Sequence, residues 1–334
     1  MLQTVLVTGG AGYVGNVLVP QLLHSGYKVI VYDILYFGKE TLPLAHPNLQ
    51  VIEGDIRDLA LFERSVQGVD AVLHLACISN DPSFELDESL SKSVNYDCFE
   101  PLVVASKKAG VQRFVYCSSS SVYGVSDAPQ VTEETPLVPL TAYNKFKGLC
   151  EPLLFKHQSD DFTCVTIRPA TICGYSPRTR LDLSVNILTN HAVNKGLITV
   201  FGGNQKRPNL HINDMADLYE LLLTVPSEAI QGQTFNAGYQ NFTIMELAGM
   251  VKEVVEQEFP ALRPLNIKVT ESNDNRSYHI SSEKIKQVLG FEAKRSIRDA
   301  VLDLCTAFKA GKLPDSFTND WYYNVRQLQI TEAV

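Results

Sequence analysis

Thr8-Gly9-Gly10-Ala11-Gly12-Tyr13-Val14-Gly15 follows the apolar run Thr4–Thr8 and leads into an amphipathic stretch over residues 17–23. A strand that turns through glycines into a helix gathers free N–H groups and the positive end of the helix dipole at one point, where a phosphate is favoured. Gly9, Gly12 and Gly15 let the backbone turn tightly and approach a pyrophosphate, so this turn, with Tyr13 and Val14 inside it, is read as a dinucleotide-binding element. Asp33 ends the next β-branched run, 18 residues beyond Gly15. That is close to the spacing of about 20 for an acid that holds the adenosine ribose hydroxyls. A carboxylate there repels a 2′-phosphate, and no arginine follows it directly, so NAD is expected rather than NADP. The other use of an Asp at this point is to cap the following turn.

Working outward, an apolar run followed by helical periodicity recurs through the first half. Candidate strands are Thr4–Thr8, Lys28–Asp33, Leu49–Glu53, 71–75, 113–118 and 163–168. This alternation predicts an α/β fold, a Rossmann-like doubly wound parallel sheet, with helices on both faces because the strands are too apolar for one-sided burial. Strand-like residues follow at Leu197–Phe201 and 234–236, with a helix at 213–223 between them. Further on, Thr243-x-x-Glu246 and Ser296-x-x-Asp299 have capping-box spacing ahead of amphipathic stretches. A chain of 334 residues also exceeds the roughly 250–300 at which one core stops growing. The expected division is an NAD-binding domain over 1–170 with 205–240, and a smaller C-terminal α/β substrate lobe over 171–204 with 241–334. Residues 127–139 read as one long surface loop.

Composition excludes several classes. The net charge is −8, and no basic cluster exceeds Lys107-Lys108 or Lys206-Arg207, so no nucleic-acid partner is expected. No apolar run approaches the roughly 20 residues of a membrane helix, and Met1 to Val7 is neither basic nor followed by a cleavable apolar region. A cytoplasmic protein without membrane attachment is expected. The seven cysteines form no C-x-x-C and the seven histidines are scattered, which fits a reducing compartment and no metal site.

Tyr143-Asn-Lys-Phe-Lys147 places a phenol and an ammonium on one helical face, four residues apart, where the cation favours the phenolate. Lowering a phenol from about 10 toward 7 needs about 4 kcal/mol, which one lysine and a cationic nicotinamide ring supply together in a dry site. The spacing alone says little: 14 tyrosines and 29 lysines plus arginines in 334 residues give about one such pair by chance. Context comes from Cys117-Ser118-Ser119-Ser120-Ser121-Val122-Tyr123-Gly124, hydroxyls at the end of a sheet strand where they can meet a reacting oxygen.

Taken in order, the glycine turn, Asp33, Gly54-Asp55-Ile56-Arg57-Asp58, His74-Leu75-Ala76, Asn95, Ser-Ser-Ser-Val-Tyr-Gly, Tyr143-x-x-x-Lys147, Arg168-Pro169 and Phe235-Asn-Ala-Gly238 resemble the extended short-chain dehydrogenase/reductases, in particular their nucleotide-sugar epimerase/dehydratase group. The resemblance spans nearly the whole chain. It implies that Asp55 and Ile56 flank the adenine, Ala76 lines the cofactor cleft and Asn95 helps hold the nicotinamide half. Tyr143 would be the catalytic base, Lys147 its electrostatic partner and ribose ligand, and Ser119 the hydroxyl beside the sugar oxygen. Arg207 and Arg276 would clamp the diphosphate of a nucleotide-diphosphate sugar. Family members dimerise through a pair of helices, here 94–108 and 142–157, which implies a homodimer.

Departures narrow the activity. The 4,6-dehydratases carry Asp-Glu directly after the catalytic hydroxyl residue, where this chain has Ser120 and Ser121. Thr171, Ser79 and Ile34 stand where galactose epimerases have Asn, a cofactor-contacting Lys and Asn. The expected activity is an NAD-dependent nucleotide-sugar 4-epimerase acting through a transient 4-keto sugar, with polysaccharide biosynthesis its family setting. A one-way 4-dehydrogenase or 4-keto reductase would share every residue named, whereas a non-catalytic NAD-binding scaffold would need only the glycine turn.

Overall fold

A computed structural model describes residues 2–126, 128–271 and 277–331. Twelve strands occur among them: β1 Thr4–Thr8, β2 Lys28–Asp33, β3 Leu49–Glu53, β4 Ala71–His74, β5 Arg113–Cys117, β6 Thr163–Pro169, β7 Thr171–Cys173, β8 Leu197–Phe201, β9 Lys206–His211, β10 Gln233–Ala237, β11 Gln240–Thr243 and β12 Asn266–Thr270. Seven form one sheet in the order β10-β6-β5-β4-β1-β2-β3, and every pairing in it is parallel.

The two faces follow from the alternation of side chains along each strand. In β1, Val5 and Val7 join the helices Gly15–His24 and Ile212–Thr224 on one side, while Leu6 joins Leu59–Ser65, Phe99–Lys108 and Ala142–Phe155 on the other. The sheet is thus covered on both faces, as its apolar strands require. The expected helix over 94–108 begins instead with a π-helical turn at Ser93–Asp97.

The second core is mostly helical. Ser184–Lys195, Ile244–Glu258 and Ile297–Lys309 pack together with the parallel pair β8 and β12. Both expected capping boxes form, at Thr243 with Glu246 and at Ser296 with Asp299. A small sheet in the order β11-β9-β7 is separate from the main sheet, and the segment 205–240 contributes strands to both. The stretch after Asp127, which itself lies outside the described residues, has no regular element but is more than a surface loop. Val131 is fully buried, and its carbonyl accepts from Ser281 N at 2.8 Å.

His74 closes β4 in the middle of the main sheet. The Thr8 hydroxyl meets its Nδ1 at 3.0 Å, and the ring lies among Phe99, Phe114 and Tyr116. Burial, helped by the charge of Lys147, pushes the imidazole down to about 3. A histidine depressed in the fold opposes folding as pH falls below its unfolded value of about 6.5, because only the unfolded chain takes the proton. Between pH 7 and pH 5 this residue should cost about 2 kcal/mol. Urea midpoints at the two pH values should show the loss in the wild type and a smaller one in His74→Phe; an equal loss in both would contradict it.

Candidate functional site

A cavity of about 550 Å³ opens at the carboxyl ends of β1, β2, β4, β5 and β6, the place where open parallel sheets bind ligands. Its floor is the glycine turn. At Gly9, with φ +70°, an added Cβ would lie 2.8 Å from the Ala76 backbone, and at Gly15 one would lie 2.3 Å from the Gly10 carbonyl. Side chains are therefore excluded where the backbone and the helix Gly15–His24 must approach a ligand. Tyr13, Val14, Asp33, Asp55, Ile56 and Ala76 line the same cavity, so the residues present fit a dinucleotide.

Asp33 serves the turn that follows it and also the glycine turn. Its Oδ1 accepts from Leu35 N at 2.8 Å, capping the turn, and its Oδ2 accepts from Ala11 N at 2.9 Å. Burial pushes its carboxyl up, opposed by those two N–H groups and by the charge of Arg178. Held there, it should bind NAD at least tenfold more tightly than NADP, about 1.4 kcal/mol. Asp33→Ala should shrink the gap, and equal affinities for the wild type by calorimetry would remove the assignment. Asp55 differs, since Arg57 forks onto it at 2.5–3.0 Å. Burial alone would raise the Asp55 carboxyl, yet Arg57 holds it below its usual range.

Tyr143 and Lys147 lie on the helix Ala142–Phe155, whose first turn is capped by Thr141 accepting from Asn144 N. Both line the cavity. Lys147 is 3% exposed, and its Nζ donates to the Cys117 carbonyl at 2.8 Å, tying the helix to the end of β5. Burial raises the Tyr143 phenol above its ordinary value, with Cys77 acting in the same direction and Lys147 against it. Lysine alone thus moves the phenol the expected way but does not outweigh burial.

Ser118, Ser119, Ser120 and Ser121 all reach the cavity wall. Ser119 Oγ lies 2.7 Å from Ser121 Oγ, and Ser121 in turn donates to Asn144 Oδ1. A short chain of hydrogen bonds therefore fixes Ser119 from the residue next to Tyr143. The sequence reading missed Ser121 and Asn144, although Asn144 stands inside the Tyr-Lys motif.

Arg207 lines the cavity, with its guanidinium over the Tyr278 ring at 5.0 Å and its Nη1 donating to the Lys206 carbonyl. Arg276 lies outside the described residues. Asn95 stands directly behind the cavity wall, next to Val94, which lines it. Both of its polar atoms are used on the Ile78 backbone, at 2.8 and 2.9 Å. It braces the loop after β4, and Ile78 lines the cavity in its place.

The far wall was not foreseen. Arg178, Arg180, Asp182 and Asn324 line it, in a loop after β7 and at the start of the helix Asn324–Ile330. Two arginines just past the carboxyl end of a strand were the available signal. Arg180 pairs with Asp182 through two bonds of 2.9 and 3.1 Å. The end of the chain then ties across the loops after β2 and β4. Trp321 Nε1 donates to the Phe37 carbonyl at 2.8 Å, Gln327 to the Tyr36 carbonyl at 2.9 Å, and Asn324 Nδ2 to Ser79 Oγ at 2.8 Å.

Among the described residues no three His, Cys, Asp or Glu side chains converge on a point, and no helix is long and apolar enough to cross a membrane. Comparison with known proteins adds a family. Residues 5–238 match the model of the NAD dependent epimerase/dehydratase family. A UDP-glucose 4-epimerase of Lactobacillus helveticus is 29% identical over 334 aligned residues, covering 91% of this chain and 96% of the relative. Among solved structures, MoeE5 in complex with UDP-glucuronic acid and NAD is 27% identical with a TM-score of 0.78, covering 92% of this chain and 99% of its own. The UDP-glucose 4-epimerase of Thermotoga maritima, solved with UDP-glucose, is 25% identical with a TM-score of 0.81 over 92% of this chain and 99% of its own. With the glycine cradle, Asp33 and the Tyr143-Lys147 pair gathered on one cavity, the chain belongs to the NAD dependent epimerase/dehydratase family and is an enzyme whose cofactor is NAD.

Proposed function

We propose that this enzyme is a nucleotide-sugar 4-epimerase that works through a 4-keto sugar. The observation that carries the reading is the placement of Tyr143 beside Lys147 and four serines, with no carboxylate directly after Ser119. Tyr143 would take the proton of the sugar hydroxyl, with Ser119 holding the same oxygen and Lys147 stabilising the phenolate. NAD, when bound, supplies the hydride acceptor and a second positive charge near the phenol. Loss of a neighbouring hydroxyl as water needs an acid to protonate it, and Ser120 and Ser121 offer none, which disfavours a 4,6-dehydratase.

The second lobe, 171–204 with 241–334, would then hold the nucleotide and diphosphate, with Arg207 and Arg276 on the phosphates. Such a division suits epimerisation, since the sugar must turn over while the rest stays bound. A homodimer is part of the same reading. Leu149 on the helix Ala142–Phe155 is 39% exposed and Leu153 is partly exposed, whereas Leu102 and Val103 are buried in the protomer core. A cytoplasmic role in polysaccharide biosynthesis is its expected setting.

The test is a panel of nucleotide sugars followed by NMR with added NAD. A product epimeric at C4 without net NADH supports the reading. Stoichiometric NADH makes the enzyme a one-way dehydrogenase, and no turnover with any sugar, despite NAD binding, leaves a scaffold.

A further inference from the structure

Arg178 is among the largest fully buried side chains, at 1% exposure. Its guanidinium stacks on Phe37 at 3.5 Å, and its Nη2 donates to Asn324 Oδ1 at 2.6 Å. Its Nε is buried without a hydrogen-bond partner. Among the described residues no carboxylate lies within ion-pair distance of it, whereas Arg180, two residues on, is fully engaged by Asp182. Asp182 and Asp33 act on it only through space, and a buried cation without a directly bonded counter-charge is costly to the fold.

Its location says what would compensate it. Arg178 belongs to the wall of the dinucleotide cavity, on a loop pressed against the glycine turn. Tyr13 Oη donates to the Gly174 carbonyl at 2.6 Å, and Ser176 Oγ donates to the Tyr13 carbonyl at 2.8 Å. The glycine turn offers backbone N–H groups to an anion from one side, and this loop brings a guanidinium without an ion-pair partner to the other. Planar guanidinium groups suit phosphate oxygens.

We propose that Arg178 is a pyrophosphate ligand of the bound dinucleotide, supplied by the loop after β7 and closing over the phosphates that the glycine turn receives. Arg180, through its bond to Ser79 Oγ at 3.2 Å, holds the same loop to the loop after β4. Burial, followed by the charge of Arg180, pushes the Arg178 guanidinium down to about 9, against the opposing charges of Asp182 and Asp33. The inference concerns the cofactor and does not depend on the sugar chemistry, so its test uses no sugar.

Calorimetry of NAD, NADP, ADP, adenosine and UDP with wild type, Arg178→Met and Arg178→Lys decides it. Arg178→Met should weaken NAD and ADP at least thirtyfold while adenosine stays within threefold, and its ligand-free melting temperature should not fall. Arg178→Lys, which keeps the charge, should recover most of the NAD affinity. NAD binding within threefold of wild type in folded Arg178→Met overturns the proposal. So does an equal loss for adenosine, which would mark a purely structural residue, or a loss confined to NADP or to UDP, which would assign the charge to a different phosphate. If the Met variant does not fold, the Lys variant decides. A loss for NAD that exceeds its loss for adenosine supports the assignment, and parallel losses overturn it.

Discussion

Tyr143→Phe should lower kcat at least a hundredfold, the low end of what a positioned general base contributes, while NAD affinity and melting temperature stay close to wild type. The substitution removes one oxygen that faces the cavity and keeps the ring that meets Phe84 edge-on at 6.3 Å. Nothing in the packing requires the hydroxyl, so a large kinetic effect would come from chemistry alone. The pH profile provides a second reading. Burial raises the phenol, so the active phenolate is gained as pH rises, and kcat should climb with pH and fall away on the acid side. Lys147→Ala should push that climb further up and also weaken NAD. Steady-state kinetics on the identified sugar nucleotide check both, and a Tyr143→Phe enzyme with more than a tenth of wild-type kcat would remove the catalytic assignment.

The second large effect concerns the opposite end of the same helix. Tyr143, Lys147 and Glu151 follow one another at four-residue steps, and Glu151 is buried under the site. Its carboxylate takes Arg168 Nε at 3.0 Å, Arg168 Nη2 at 2.6 Å and Ser118 Oγ at 2.6 Å. Arg168 continues to Tyr123 Oη at 2.7 Å, which donates to Asn236 Oδ1 at 2.7 Å. Four elements meet in this network: the helix Ala142–Phe155, β6, β10 and the serine segment after β5. Glu151→Leu leaves Arg168 buried and unpaired and should cost about 3–5 kcal/mol. Replacing both partners, as Glu151→Leu with Arg168→Met, should recover much of that, because the isolated charge is gone. Urea denaturation of the two single variants and the double variant measures the coupling, and additive losses would contradict it.

The main sheet was legible because its inner strands are apolar runs buried on both sides, a pattern that survives without knowledge of neighbours, whereas the edge strand β3 is only half-buried. Strand ends differed by only a residue or so, at His74, Cys117 and Pro169. The glycine turn, Asp33, Tyr143 and Lys147 were legible for a related reason, since their spacing within one turn or one helix fixes their geometry. For Asn95 the sequence motif gives proximity to the site and not direction. Its side chain points to the Ile78 backbone, which only the packing of two segments 17 residues apart reveals. Arg178 and Arg180 were missed because their meaning depends on Asp33, Tyr13 and Asn324, all of them more than 140 residues distant in sequence. The stretch after Asp127 was taken for a loop on composition, since prolines signal irregular backbone whether it is exposed or, as at Val131, folded into the core.

The ties from Trp321, Asn324 and Gln327 to the loops bearing Phe37, Tyr36 and Ser79 bear on the lifetime of the complex. If these ties close the cavity over a dinucleotide seated on the glycine turn, its escape is governed by an opening of the protein and not by affinity alone. A resident cofactor of that sort is insulated from the surrounding ratio of reduced to oxidised dinucleotide. An enzyme that returns its electron pair in each cycle gains independence from the metabolic state of the cell, and one molecule of NAD acquired at folding could serve it for many turnovers.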